Sequence, residues 1–131
     1  MKRRMAALIL IGLLGLAACF IGSGKRPYKN LTGGQISGAK VQLMPPDTTL
    51  RIEDVDALAE LLNDVVIYQR DDSYTEYSGQ AVVFTLTMAD GSVTSVVAYN
   101  PFLVIDGVGY RTKYEPCEAL NHYANQLLSE E

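Results

Sequence analysis

The chain has 131 residues, of which 11 are basic and 15 acidic, and hydrophobic residues make up 48% of it. This hydrophobic content is typical of a globular protein rather than of a disordered one. Beyond residue 30 only five basic residues accompany all fifteen acidic ones, which excludes the basic footprint that a nucleic-acid partner requires.

The N-terminus has the pattern of a secretory signal. A basic start, Met1-Lys2-Arg3-Arg4, precedes an apolar run over residues 5–16 and two small residues. The stretch Leu16-Ala17-Ala18-Cys19 resembles the lipobox of bacterial lipoproteins of the Gram-positive type. The resemblance implies that residues 1–18 are a cleaved signal peptide. It also implies that Cys19 is lipidated and holds the chain on the outer face of the bacterial cell membrane.

An uncleaved helical anchor is the alternative. The apolar run continues to Ile21, and residues 5–21 reach the lower limit of a membrane-crossing helix, about 17 residues. The apolar part of a signal is shorter than such a helix and ends in small residues, which favours the lipoprotein. Both alternatives leave the basic start in the cytoplasm and the rest of the chain outside.

Residues 19–35 are rich in Gly, Ser, Lys and Asn and predict a flexible tether, so the folded domain is expected over residues 36–131. A strand is predicted at residues 39–43, and residues 48–52 form a candidate second one. Residues 53–64 predict a helix because apolar side chains recur at helical spacing. These side chains are Val55, Leu58, Leu61, Leu62 and Val65.

Two Asp-Gly pairs predict hairpins in the second half of the domain. Asp90-Gly91 lies between strand-like residues 80–88 and 92–99, and Asp106-Gly107 between 102–105 and 108–112. Each pair predicts a two-residue turn, in which positive φ favours glycine. The first turn would place Val82, Phe84, Leu86 and Met88 on the core face, opposite Tyr99, Val97, Ser95 and Val93. The other face would carry Val83, Thr85, Thr87, Thr94, Val96 and Ala98.

Residues 65–69 predict a further strand, and residues 116–128 predict the last helix. The fold class is therefore α+β, with a single antiparallel sheet and both helices packed on one face. The order strand, helix, strands, helix is similar to one repeat of the TATA-binding-protein fold, a likeness of topology alone.

A second resemblance rests on the stretch from Phe102 to Arg111 together with the helix from Asp54 to Asn63. It resembles small uncharacterised lipoproteins of Gram-positive bacteria and the extracytoplasmic domains of some of their membrane sensors. The resemblance covers about residues 36–128 and implies no catalytic residues.

Candidate chemistry is sparse. His122, the only histidine, lies off the apolar stripe of the last helix and is expected in solvent. Cys117 lies on that stripe and is expected to be buried and inert. Asp71, Asp72 and Glu76 crowd one loop but lack the spacing of a calcium loop, so a solvated, mobile loop is expected. We predict no metal, no cofactor and no enzyme activity.

The sequence therefore predicts a lipid-anchored, non-enzymatic binding or sensory module. The expected partner is a protein or a second copy of the chain, since a mildly apolar sheet face without charges is typical of interaction sites. An inhibitor that inserts its hairpin tips into a secreted peptidase or lactamase is the alternative. The candidate partner surface consists of Val83, Thr85, Thr87, Thr94 and Val96, with Tyr74 and Tyr77 from the loop.

Overall fold

The computed structural model of the protein describes residues 24–130, and the predictions for the signal peptide and Cys19 lie outside them. The strands are β1 Ile36–Met44, β2 Thr48–Ile52, β3 Ile67–Arg70, β4 Ala81–Met88, β5 Val93–Tyr99, β6 Phe102–Ile105 and β7 Val108–Thr112. The α-helices are α1 Val55–Asn63 and α2 Tyr114–Ser129, and short 3₁₀ turns form at Gly33–Gln35 and Ser73–Glu76. Within residues 24–130, no helix has the length and apolar character needed to cross a membrane.

The seven strands form one sheet in the order β2-β1-β4-β5-β6-β7-β3, and every neighbouring pair is antiparallel. A single antiparallel sheet with two helices confirms the α+β class. Two strands, β1 and β2, precede the first helix.

The main core lies between the sheet and both helices. Leu58 and Leu62 of α1 and Leu120 of α2 are fully buried in one cluster with Val41 and Phe84 of the central strands. Helix α1 begins after Asp54, whose carboxylate accepts a hydrogen bond from the Ala57 N–H at 3.0 Å. This N-cap supplies a partner to an otherwise free N–H and sets where the helix starts.

The hairpin of β4 and β5 has a three-residue loop, and the predicted two-residue turn is wrong there. Met88 N–H donates to the Ser92 carbonyl at 2.7 Å, and Thr87 pairs with Val93. Gly91 has φ +91°, whereas Asp90 has no positive φ. A positive-φ glycine at the end of a three-residue loop is the usual alternative to the two-residue turn.

The longer loop shifts the register by one residue, and such a shift moves every β5 side chain to the other face. Val96 pairs with Phe84 and Ala98 with Val82, and all four are fully buried. The predicted exposure of Val96 and Ala98 is therefore wrong. Four residues predicted to face the core point away from it instead, and they are Val93, Ser95, Val97 and Tyr99.

The hairpin of β6 and β7 has the predicted two-residue turn. Ile105 pairs with Val108, and positive φ occurs at both Asp106 (+48°) and Gly107 (+85°). Positive φ at both central residues defines the type I′ turn that fits the twist of a hairpin. This prediction is confirmed.

Residues 24–35 pack against the domain, whereas the sequence predicts a flexible tether there. Lys25 and Ile67 exchange two backbone hydrogen bonds of 2.8 Å, which extends the sheet beside β3. The Asn63 amide donates to the carbonyls of Tyr28 at 2.6 Å and Leu31 at 2.9 Å. The packed part of the chain therefore begins before residue 36.

Candidate functional site

The sheet face opposite the helices, here called the open face, is the candidate site. Cross-strand pairing places Gln42, Val83, Val97 and Val104 in one row across it. This face has two halves of different character, one covered by a loop and one left uncovered.

The covered half is formed by β6 and β7, and the loop of residues 71–79 packs on top of it. The rings of Tyr77 and Tyr74 lie 5.1 and 6.4 Å from the Phe102 ring, and the Arg111 guanidinium lies 4.8 Å from the centre of that ring. Phe102 is fully buried and Val104 is 3% exposed, although both point away from the main core. The loop therefore makes a small second core on the open face.

Hydrogen bonds to β7 hold this loop in place. The Asp71 carboxylate accepts from Arg111 Nε at 2.8 Å, and the Asp72 carboxylate accepts from the Gly109 N–H at 2.9 Å. A side chain at Gly109 would lie 2.5 Å from the Asp71 carbonyl, so only glycine allows this close approach. The start of the loop is thus anchored on β7, while residues 75–79 are exposed, in keeping with the predicted solvated loop. The mobility of the loop stays a prediction.

The electrostatics of the loop agree with its hydrogen bonds. Bonds from Ser73, and then the bond from Arg111, lower the pKa of Asp71 to about 2. The bond from the Gly109 N–H is the main cause of a lowered pKa at Asp72. Both carboxylates are thus engaged in hydrogen bonds within the protein. The described residues contain no group of three acidic, histidine or cysteine side chains that could hold a metal ion.

The uncovered half carries a cation–threonine patch, defined as Lys40, Arg51, Thr49, Thr85 and Thr87. Lys40 lies directly opposite Arg51 on β2 and opposite Thr85 on β4. The patch lines a shallow cavity of about 400 Å³. In the part of the chain that the structure describes, neither cation takes part in an ion pair, whereas Arg70 and Arg111 are paired with Asp72 and Asp71.

The predicted partner surface is only partly brought together. Val83, Thr85 and Thr87 do lie on the open face. Thr94 lies opposite Leu86 on the core side, and fully buried Val96 is inaccessible, so both are corrections. Tyr74 is half-buried against Phe102, while Tyr77 keeps 52% of its surface exposed.

The open face was also predicted to lack charge, and the Lys40–Arg51 pair corrects that. The sequence shows that each residue lies in a predicted strand, but it does not show that the two strands pair. Lys40 and Arg51 become neighbours only because β1 and β2 pair in the register that places one opposite the other.

The hairpin tips, proposed as inhibitory elements, use their carboxylates internally. Asp90 accepts from the N–H and the hydroxyl of Ser92 at 2.9 and 2.6 Å. Asp106 accepts from the Ser95 N–H at 2.9 Å. Asp90 therefore stabilises its own turn, whereas Asp106 ties its turn to the neighbouring strand β5.

The two remaining candidates for chemistry lie on α2. Cys117 is fully buried, and burial raises the pKa of its thiol to about 12, which keeps it protonated and unreactive. His122 is exposed, as predicted, and lines a polar cavity together with Tyr99, Asn100 and Asn121. Sequence reasoning missed this cavity, although Asn121 and Asn125 lie one helical turn apart.

Comparison of the chain with protein-family models, with curated proteins and with solved structures finds no match.

Proposed function

We propose that this protein is a lipid-anchored extracytoplasmic lipoprotein that acts as a non-enzymatic binding or sensory module and docks an acidic protein surface on the uncovered half of its open face. The observation that carries this proposal is the Lys40–Arg51 pair. We also propose that the domain is similar in topology to one repeat of the TATA-binding-protein fold and to the extracytoplasmic domains of membrane sensors.

The exposed cation pair is available to an external partner. Like charges directly opposite each other on neighbouring strands are destabilising. Although acidic residues outnumber basic ones three to one beyond residue 30, no described carboxylate lies in ion-pair distance of Lys40 or Arg51. Charges on an edge strand discourage unwanted strand pairing, which accounts for Arg51 on β2. Lys40 lies one strand further in, where that explanation does not apply.

The partner is a different protein rather than a second copy docked face to face. A two-fold symmetric dimer through this face would bring the Lys40–Arg51 pairs of both copies together. Their repulsion opposes such a dimer. Threonine hydroxyls at positions 49, 85 and 87 add hydrogen-bond donors beside the two cations, which suits carboxylate side chains.

The attachment of the chain argues against anionic lipid as the occupant. Lys25 lies beside β3, and Cys19 is six residues earlier, a reach of at most about 20 Å. The two cations of the patch lie on β1 and β2, five and six strands from β3, which corresponds to about 24 and 29 Å at about 4.8 Å per strand. With Cys19 in the membrane, the β3 edge would be the part of the sheet closest to the attachment point, and the two cations would lie on the strands furthest from it. A hairpin-tip inhibitor has no comparable support, because Asp90 bonds within its own turn and Asp106 bonds to Ser95 of the neighbouring strand β5.

The docking proposal is tested on intact cells. A photo-crosslinking residue in place of Thr85 in the full-length protein should yield a discrete product with one protein. Adding Lys40→Glu and Arg51→Glu should abolish that product, whereas Lys113→Glu, a charge reversal at an exposed site outside the patch, should leave it. A product that survives the double reversal, or is lost equally with the control, contradicts docking by charge.

The anchoring part of the proposal has its own test. Wild-type protein should incorporate labelled palmitate, and Cys19→Ser should incorporate none and migrate as the larger, uncleaved form. Wild-type protein without label would favour the uncleaved anchor instead.

A further inference from the structure

A polar cavity lies at the end of the sheet, where β4 begins and β5 ends, beside α2. Its volume is about 400 Å³, within the range of small-molecule sites. It lies outside the cation–threonine patch. The side chains that matter for its chemistry are Gln80, Tyr99, Asn100, Glu118, Asn121 and Asn125.

Two buried polar atoms of residues that line this cavity lack a partner. They are the phenol oxygen of Tyr99 and the amide oxygen of Asn100, and no other side-chain nitrogen or oxygen among residues 24–130 is buried without a hydrogen bond. An unsatisfied buried polar group costs about 1–3 kcal/mol, so such groups need an explanation. Both atoms belong to neighbouring residues that line one cavity, although each atom itself has less than 1 Å² of accessible surface. A bound molecule towards which the two side chains turn would supply both missing bonds.

The rest of the lining is fixed by hydrogen bonds between amides. Asn125 Nδ2 donates to Gln80 Oε1 at 3.0 Å, and Gln80 Nε2 donates to Asn125 Oδ1 at 3.3 Å. Asn125 Nδ2 also donates to the Asn121 carbonyl at 2.8 Å. Asn100 Nδ2 donates to the Tyr114 carbonyl at 3.1 Å, which leaves the amide oxygen of Asn100 as an acceptor. A preorganised wall of this kind lowers the entropy cost of binding.

We propose that this cavity binds an uncharged polyhydroxyl compound, a sugar. Each sugar hydroxyl both donates and accepts, so one ligand satisfies the Tyr99 O–H as donor and the Asn100 oxygen as acceptor. An anion is disfavoured because the Glu118 carboxylate lies in the same wall. A simple cation is disfavoured because it offers no acceptor to the Tyr99 O–H. This inference stands on the cavity and does not require the docking function.

The test uses the full-length protein in a zwitterionic detergent, with calorimetry as the readout. The probes are glucose, N-acetylglucosamine and its tetramer, with ethylammonium and inorganic phosphate as charged comparisons. One of the sugars should bind saturably at millimolar concentration, and Tyr99→Phe should weaken that binding by about tenfold or more. Asn121→Leu, on the α2 side of the cavity, should weaken sugar binding similarly, so the test does not depend on a single variant that fails to fold.

Controls separate the outcomes. Gln126→Ala, an exposed change on α2 outside the cavity, should leave sugar affinity unchanged. Stronger binding of the tetramer than of the monomer identifies a glycan polymer as the source, and equal binding identifies a free sugar. The inference is overturned if no sugar binds at about 100 mM, if Tyr99→Phe binds as tightly as wild type, or if ethylammonium binds and Glu118→Gln abolishes that binding.

Discussion

The two Asp-Gly hairpins share a turn sequence and differ in loop length. Asp106-Gly107 closes a two-residue turn with both residues at positive φ, whereas Asp90-Gly91 belongs to a three-residue loop in which only Gly91 has positive φ. Their surroundings account for the difference. Ala89 N–H donates to the Gln35 carbonyl at 2.8 Å, so Ala89 is held by the N-terminal segment instead of pairing across the hairpin.

The comparison teaches that a turn dipeptide limits the choice of loop but does not decide it. A single distant hydrogen bond and the Asp90–Ser92 bonds accompany the longer loop, and the extra residue exchanges the two faces of β5. That exchange places Val96 in the core and Val97 on the open face.

The largest expected effect tests this exchange directly. Val96→Asp places an unpaired charge in the main core and should cost about 3–5 kcal/mol, comparable with the whole stability of a small domain. Val97→Asp, one residue on and half-buried on the open face, should cost less than half as much. Urea unfolding of the two variants measures both values. A larger loss of stability for Val97→Asp than for Val96→Asp would contradict the three-residue loop and support the two-residue turn.

A second experiment tests the backbone of both turns. Gly107→Val and Gly91→Val should each lose about 1–2 kcal/mol, because a β-branched residue is strained at positive φ. Neither glycine has a neighbour within 4 Å of an added Cβ, so the loss reports conformation rather than a clash. Replacement by asparagine should cost less at both sites. Thermal unfolding checks the series, and tolerance of valine at either site would contradict the assigned turn there.

The smallest expected effect concerns the loop of residues 71–79, which covers the β6–β7 hairpin and has no counterpart over the β4–β5 hairpin. The pKa of Asp71 falls from an ordinary 3.8 to about 2 in the folded protein, mainly through hydrogen bonds from Ser73. A lowered folded pKa contributes stability that is present above about pH 4 and lost as the pH falls towards 2. Asp71→Asn should therefore flatten the pH dependence of stability in this window. Denaturation at pH 5, 3 and 2 provides the measurement, and an unchanged acid slope would show that the loop does not depend on this carboxylate.

Much of the fold follows from local sequence patterns. The two helices, the β6–β7 turn and the burial of Cys117 each depend on residues close together in the chain. The features that escaped prediction depend on distant partners. The loop over β6 and β7 requires Gly109 to meet Asp72, and the cation pair requires β1 to meet β2 in one particular register. Tyr99 and Asn125 share a cavity only because α2 returns beside the ends of β4 and β5.

The buried thiol of Cys117 has a practical consequence for measuring how the domain opens. Oxidants and thiol reagents reach its Sγ only when α2 separates from the sheet, since the side chain is fully enclosed and bonded to the Phe102 carbonyl at 3.6 Å. The rate of alkylation therefore measures how often the native domain opens. Among residues 24–130 Cys117 is the single free cysteine. Alkylation at this position therefore reports opening of the domain without the need to introduce another cysteine.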